Sequence, residues 1–282
     1  VKWTERFCVS QRFPKFLEKA VGAMSRNFEL LQRAEQERHV ERQSSLRQIP
    51  VPGAHVSAAS TQAQEGPASE LCSSLNGSSR DEVRKLVQRL FLRDEGCRAV
   101  VFAGTERHTG CTWVAAHVAQ LLAAQSTGSV CIVDANLRFP AMHDFFQVEN
   151  HHGLSDALLG VGPLQEFVQR LPLPNLWLLS CGSAVRNEEA LTASEALRAR
   201  LQQVRAQFDF VVIDTPPASS HHDALMAGAA TDGIVLVIKA NTSRRETAQQ
   251  ITREAKTANV RLLGAILNQR TFPVPEKIYK RL

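Results

Sequence analysis

From residue 80 onward, short apolar runs alternate with segments whose apolar positions recur every three to four residues. That texture predicts a parallel sheet wound with helices. Six runs read as strands: 98–103, 129–134, 176–180, 210–214, 233–239 and 262–268. Several are apolar at nearly every position, as expected of strands covered on both faces. Helical spacing falls near 80–92, 112–125, 190–206, 222–230 and 243–258. The fold class is therefore α/β, with a doubly wound, mostly parallel sheet, and no internal repeat interrupts it.

Upstream the pattern changes. Residues 24–43 place Phe28, Leu30, Leu31 and Ala34 on a polar background, with Ser25 able to cap, which predicts a solvated amphipathic helix. Residues 44–79 are rich in Ser, Ala, Gln, Gly and Pro and poor in large apolar side chains, so they read as a flexible linker. Residues 1–23 show no period, and Met24 opens a helix-forming stretch as a natural start would, so 1–23 is taken as an uncertain N-terminal extension. The folded domain is expected over 80–282.

Composition narrows the classes. The chain has 282 residues, 44% of them hydrophobic, enough for a substantial core. Its formal charge of +5 is spread along the chain and interleaved with acids, which gives no support to a nucleic-acid surface. The six cysteines form neither CxxC nor Cys/His ligand spacing, and Cys131 sits inside an apolar run, so free thiols in a reducing compartment are expected. No apolar run approaches the roughly 18–20 residues that cross a bilayer. The expected location is the cytoplasm, at the membrane's inner face only through a partner.

Two acids stand at strand ends: Asp134 opens "DANLRFP" and Asp214 opens "DTPP". Between the 98–103 strand and an alanine-rich helix lies "GTERHTGCTW", 104–113. In a doubly wound sheet ligands bind beyond the carboxyl ends of the strands, so both acids and this loop should face one crevice. A single such Asp could merely cap the following turn. Two with a glycine-bearing loop, in this order, are much stronger evidence for one ligand crevice.

The segments "VCIVDANLRFPAMHDFF", "GLSDALLG" (153–160), "FDFVVIDTPPASSHHDALMAGAATDGIVLVIKANTSRRET" (208–247) and "LLGAILNQ" (262–269) resemble the cytoplasmic bacterial tyrosine kinases of capsule and exopolysaccharide synthesis. These are relatives of the MinD/ParA P-loop ATPases, and "DxNxRxP" followed by "GLSDALLG" separates them from MinD and ParA proper. The stretch "RNEEALTASEAL" (186–197) is similar to another segment of that family. The resemblance implies a P-loop NTPase fold and ATP or ADP bound with Mg²⁺. It assigns the ion to Thr112, Asp134 and Asp214, and catalysis to the two acids. Nucleotide contacts fall to Gly104, Thr105, Arg107, His108, Thr109, Gly110, Cys111 and Thr112, with Asn136 and Arg138 from the second motif. A membrane-embedded polysaccharide chain-length or export protein is the implied partner, with homo-oligomerisation a further implication.

Departures from the family pattern shape the functional reading. Cys111 stands at the lysine that contacts the β- and γ-phosphates. By analogy with deleting one preorganised stabilising group, its loss costs on the order of 10²–10³ in rate. His108 stands over a glycine, narrowing the conformations that form an anion nest. Asn136 replaces a second Asp and cannot take up a proton. Phosphate affinity can persist through amides at the helix start, with Arg107 or His108 as candidate replacement charge. Cys111 reads either as a thiol activated by the helix N-terminus or as a small filler of the lysine's space. Glu82, Lys85 and Gln88 occupy the family's Glu-x-x-Arg-x-x-Arg self-association positions, which weakens the case for ring assembly. His151-His152 and His221-His222 lack metal-ligand spacing and read as polar loop residues. Arg244-Arg245 reads either as a contact to nucleotide or a neighbouring subunit, or as a solvated helix start. Tyr279 is the chain's single tyrosine, where the family carries a cluster, so it is either one phosphoacceptor or a packed ring.

The expectation is a tyrosine-kinase-like regulator of polysaccharide synthesis or export with weak or absent catalysis. The alternatives are a working tyrosine autokinase and a ParA-like positioning ATPase. Limited proteolysis of the full chain should cut first within 44–79; uniform resistance there would contradict the linker boundary.

Overall fold

The computed structural model describes residues 77–93, 95–159, 162–182 and 195–269, all within one compact unit. The expected N-terminal extension, the 24–43 helix, most of the linker, the 186–194 segment and Tyr279 lie outside these residues.

Seven strands form one sheet: β1 (Ala99–Gly104), β2 (Val130–Asp134), β3 (Gln169–Arg170), β4 (Leu176–Leu179), β5 (Phe210–Thr215), β6 (Ile234–Lys239) and β7 (Leu262–Asn268), in the order β3-β4-β2-β5-β1-β6-β7. Every neighbouring pair is parallel except β3 and β4. All six expected strands are present with ends within one or two residues of the apolar runs. Their fully buried cores, such as Val100, Phe102, Ile132, Val212 and Val235, show why the runs lack alternation. From β1 the chain crosses to β2 and β4, returns to insert β5 beside β1, then continues outward through β6 and β7. The strand order thus reverses around β1, which opens a crevice at its carboxyl end.

The helices are α1 (Gly77–Leu90), α2 (Cys111–Gln125), α3 (Met142–Phe146), α4 (Leu154–Leu159), α5 (Glu195–Gln207), α6 (Asp223–Ala229) and α7 (Arg245–Thr257). On α1, Val83, Leu86, Val87 and Leu90 form one buried stripe at i, i+3, i+4 and i+7 spacing. Lys85 and Gln88 face outward, and Lys85 bonds Glu82 one turn earlier at 2.7 Å. This helix begins at Gly77 with Ser79 buried, three residues before the helical spacing expected from residue 80. Helix α2 is buried from Val114 to Ala123, packed against both α1 and the sheet, and its alanines permit that close approach.

Sequence patterning missed β3, α3, α4 and a 3₁₀ turn at Leu164–Glu166. Each is two to six residues long, too short to display a hydrophobic period.

Candidate functional site

Asp134 and Asp214 are register partners at the carboxyl ends of β2 and β5, with 0% and 1% exposure. Asp214 Oδ2 accepts the Thr112 hydroxyl at 2.6 Å, which ties the β5 end to the first turn of α2. Its other oxygen, Oδ1, is buried without a hydrogen-bond partner among the described residues. Burial pushes the Asp214 carboxyl up to about 7, helped by the Asp134 charge and opposed by the Thr112 bond. Asp134 is likewise raised by burial, against three amides that favour its charged form. Those amides belong to Asn136 (3.1 Å), Ala141 (3.2 Å) and Met142 (3.1 Å), so Asp134 also organises the 136–142 turn.

The loop between β1 and α2 walls a cavity of about 280 Å³, lined by Gly104, residues 106–113, Asn136, Phe139, Thr215 and Pro217. Gly110 caps α2 at φ 78°, a left-handed conformation, and a Cβ there would meet Asn268 Nδ2 at 2.5 Å. His108 adopts φ 61° without being glycine, so the nest-like turn is retained at a cost of roughly 1 kcal/mol. The first amides of α2 open toward the cavity with no side-chain cap.

Several expected contacts differ in detail. Thr105 is buried, gives its amide to Val237 O at 2.9 Å and pairs its hydroxyl with Ser243 at 3.1 Å; it faces β6 and does not line the cavity. Arg138 lies beside Asp223, Nε to Oδ2 at 3.6 Å, and is also outside the lining. Both acids sit behind the cavity wall, with Thr112 as the side chain that touches wall and acid together. Arg107 and His108 are exposed at the cavity, the Arg107 guanidinium 3.8 Å from the centre of the Phe139 ring. Asn136 accepts the Phe139 amide at 3.2 Å, which needs only an oxygen acceptor and not a charge.

The Cys111 thiol is pushed well up by burial and by the adjacent Asp214 charge. A protonated thiol is a poor nucleophile, so the filler reading of Cys111 fits and activation by the helix N-terminus does not prevail. Arg244 donates its amide to Glu106 at 3.4 Å, so the start of α7 meets the loop. His151, His152 and His222 are exposed.

Three contributors escaped sequence reading. Asn268, buried at the β7 end, gives Nδ2 to Thr109 O at 2.7 Å and clamps the loop from below. Its position after an apolar strand was the available signal. Trp113 lines the cavity and stacks on His117 at 3.7 Å, and burial lowers that imidazole to about 4. Phe139, 44% exposed, was visible only as part of "RFP".

The profile of the ATPase MipZ family matches residues 98–244, more than half of the chain. Tyrosine-protein kinase YwqD of Bacillus subtilis is 31% identical over 175 residues, 62% of this chain and 73% of YwqD. Tyrosine-protein kinase etk of Escherichia coli K12 is 28% identical over 169 residues, 60% of this chain but 23% of that relative, so the chain spans about a quarter of the longer kinase. The kinase domain of the Escherichia coli enzyme superposes with a TM-score of 0.64 at 22% identity, covering 77% of this chain and 86% of the domain, a likeness of fold. A Mycobacterium smegmatis cobyrinic acid a,c-diamide synthase, solved with ADP and magnesium, shares the fold at TM-score 0.50 and 18% identity over 60% of this chain and 70% of its own.

The buried acids generate a pH dependence. A carboxyl raised from near 4 toward neutrality in the folded state stabilises the fold at low pH, and that contribution fades as pH rises through the folded value. His117, lowered by burial, acts the other way and fades as pH falls from about 6.5 toward 4. Comparing wild type with Asp214→Asn cancels the histidine. Without added metal, the melting-temperature gain of the variant should grow from pH 5 to pH 8 by several degrees, on the order of 2–4 °C per kcal/mol. A gain independent of pH would refute the elevated Asp214.

Proposed function

This chain belongs to the bacterial tyrosine-kinase family of MipZ-like ATPases, and on that premise we propose that it binds a nucleoside di- or triphosphate with Mg²⁺ while transferring phosphate weakly or not at all. In this reading it regulates capsular or exopolysaccharide synthesis or export. Among the described residues no helix is long and apolar enough to cross a membrane. The partner in this reading is a membrane-embedded polysaccharide chain-length or export protein.

One observation supports the proposal: oxygen donors suited to a cation stand together, while a thiol occupies the position where the family resemblance implies lysine. The unpartnered Asp214 Oδ1, the adjacent Thr112 hydroxyl and the neighbouring Asp134 are hard oxygen donors suited to Mg²⁺. Held by these oxygens, Mg²⁺ would supply positive charge to offset that of the phosphates. Amides at the α2 start, with Gly110 and His108 in left-handed geometry, suit the phosphates. At Cys111 a neutral thiol replaces the mobile ammonium, and nothing there follows charge as it moves to the leaving oxygen. Positive charge nearby can aid binding without restoring that function.

Titration of the full chain with ADP, read by calorimetry, tests this reading. Binding should require Mg²⁺, and Asp214→Ala should weaken the Mg²⁺-dependent affinity about tenfold or more. Mg²⁺-dependent affinity left unchanged in the variant would remove Asp214 from the site, and no binding at all would overturn the reading.

A further inference from the structure

We infer that Arg107, supported on the Phe139 ring, is the phosphate-binding cation of this site, in place of the lysine that Cys111 displaces. The inference rests on the nucleotide reading above and adds the residue that supplies the charge.

Among the described residues lining the cavity, Arg107 is the one Lys or Arg. Its guanidinium lies 3.8 Å from the Phe139 ring centre, and both residues line the same cavity as the loop amides. Phe139 is not a wandering platform. Its amide donates to both Asn136 O and Asn136 Oδ1 at 3.2 Å, within the turn that hangs on Asp134. A large aromatic ring left 44% exposed at a cavity mouth has little packing to gain there, whereas a cation over its face is held electrostatically. The ring thus keeps a long, otherwise mobile side chain at the rim, with the planar donors of the guanidinium free to meet paired phosphate oxygens.

Neighbouring charges are consistent with this division. Glu106 would repel phosphate, but its carboxylate is turned to the Arg244 amide at 3.4 Å. Arg138 stands beside Asp223, away from the cavity lining. The displaced ammonium would have sprung from the helix start, whereas Arg107 approaches from the loop. An arginine arriving from that side binds the polyphosphate but is not placed to follow the γ-phosphate, which agrees with binding that outlasts transfer.

The test is calorimetric titration of the full chain with Mg²⁺-ADP and, separately, inorganic pyrophosphate. Arg107→Gln should weaken both by about tenfold or more, and Arg107→Lys should lose less. Phe139→Leu should weaken binding in wild type and be silent in the Arg107→Gln background. Cys111→Lys should raise affinity more in the Arg107→Gln protein than in wild type, a non-additivity that a merely structural role for Arg107 would not produce. Arg107 is exposed, so the melting temperature should not move. Wild-type binding that Arg107→Gln leaves intact would overturn the inference alone. Failure of wild type to bind either probe would overturn the nucleotide reading and the inference with it.

Discussion

Two carboxylates paired in register at the ends of adjacent strands, both shut away from water, are the constraint around which the rest is arranged. Like charges so placed cannot both ionise freely in a low-dielectric interior. The protein responds with a hydroxyl from the start of α2 on one acid and three turn amides on the other. Those bonds fix the β1–α2 loop, the β5 end and the 136–142 turn relative to one another. The arrangement leaves one buried oxygen of Asp214 unsatisfied, an expense that makes sense where a cation completes the shell.

Around that pair, the loop holds a tight turn into α2 and carries a thiol, Cys111, at the first helical position. Gly104 admits the Thr109 side chain, which would lie 2.4 Å from a Cβ, and Gly110 takes its left-handed turn under Asn268. His108 holds a left-handed conformation that disfavours it, so the surrounding contacts dictate the turn and not the residue's own preference. Asn136 retains the oxygen that anchors Phe139, although its charge is gone. The left-handed turn at His108 and the acceptor oxygen of Asn136 are thus held by local contacts, with side chains other than those the family resemblance implies there.

The sheet was legible because strands covered on both faces are apolar throughout, and that signal survives without knowledge of neighbours. The α1 stripe and the two strand-end acids were legible for similar reasons, since each is a local pattern. What escaped depends on distance in sequence. Asn268 reaches a loop carbonyl about 160 residues away, and no local spacing announces it. The turn of Thr105 toward Ser243, the placement of Arg138 beside Asp223 and the Arg107–Phe139 contact are tertiary facts of the same kind. Short pieces such as α3 and β3 escaped because two to five residues carry no period. The α1 start was misplaced because Gly77 and Ser79 have linker-like composition, yet Ser79 is buried.

On the proposed function, a phosphate-loop fold with oxygen donors for a cation and a cysteine in place of lysine binds nucleotide without useful phosphoryl transfer. Incubation with γ-phosphate-labelled ATP and Mg²⁺ tests it most directly, comparing wild type, Cys111→Lys and Tyr279→Phe. The account predicts wild-type labelling and hydrolysis barely above background, with Cys111→Lys gaining affinity more than turnover. Strong wild-type labelling that vanishes in Tyr279→Phe would contradict it and establish a working tyrosine autokinase.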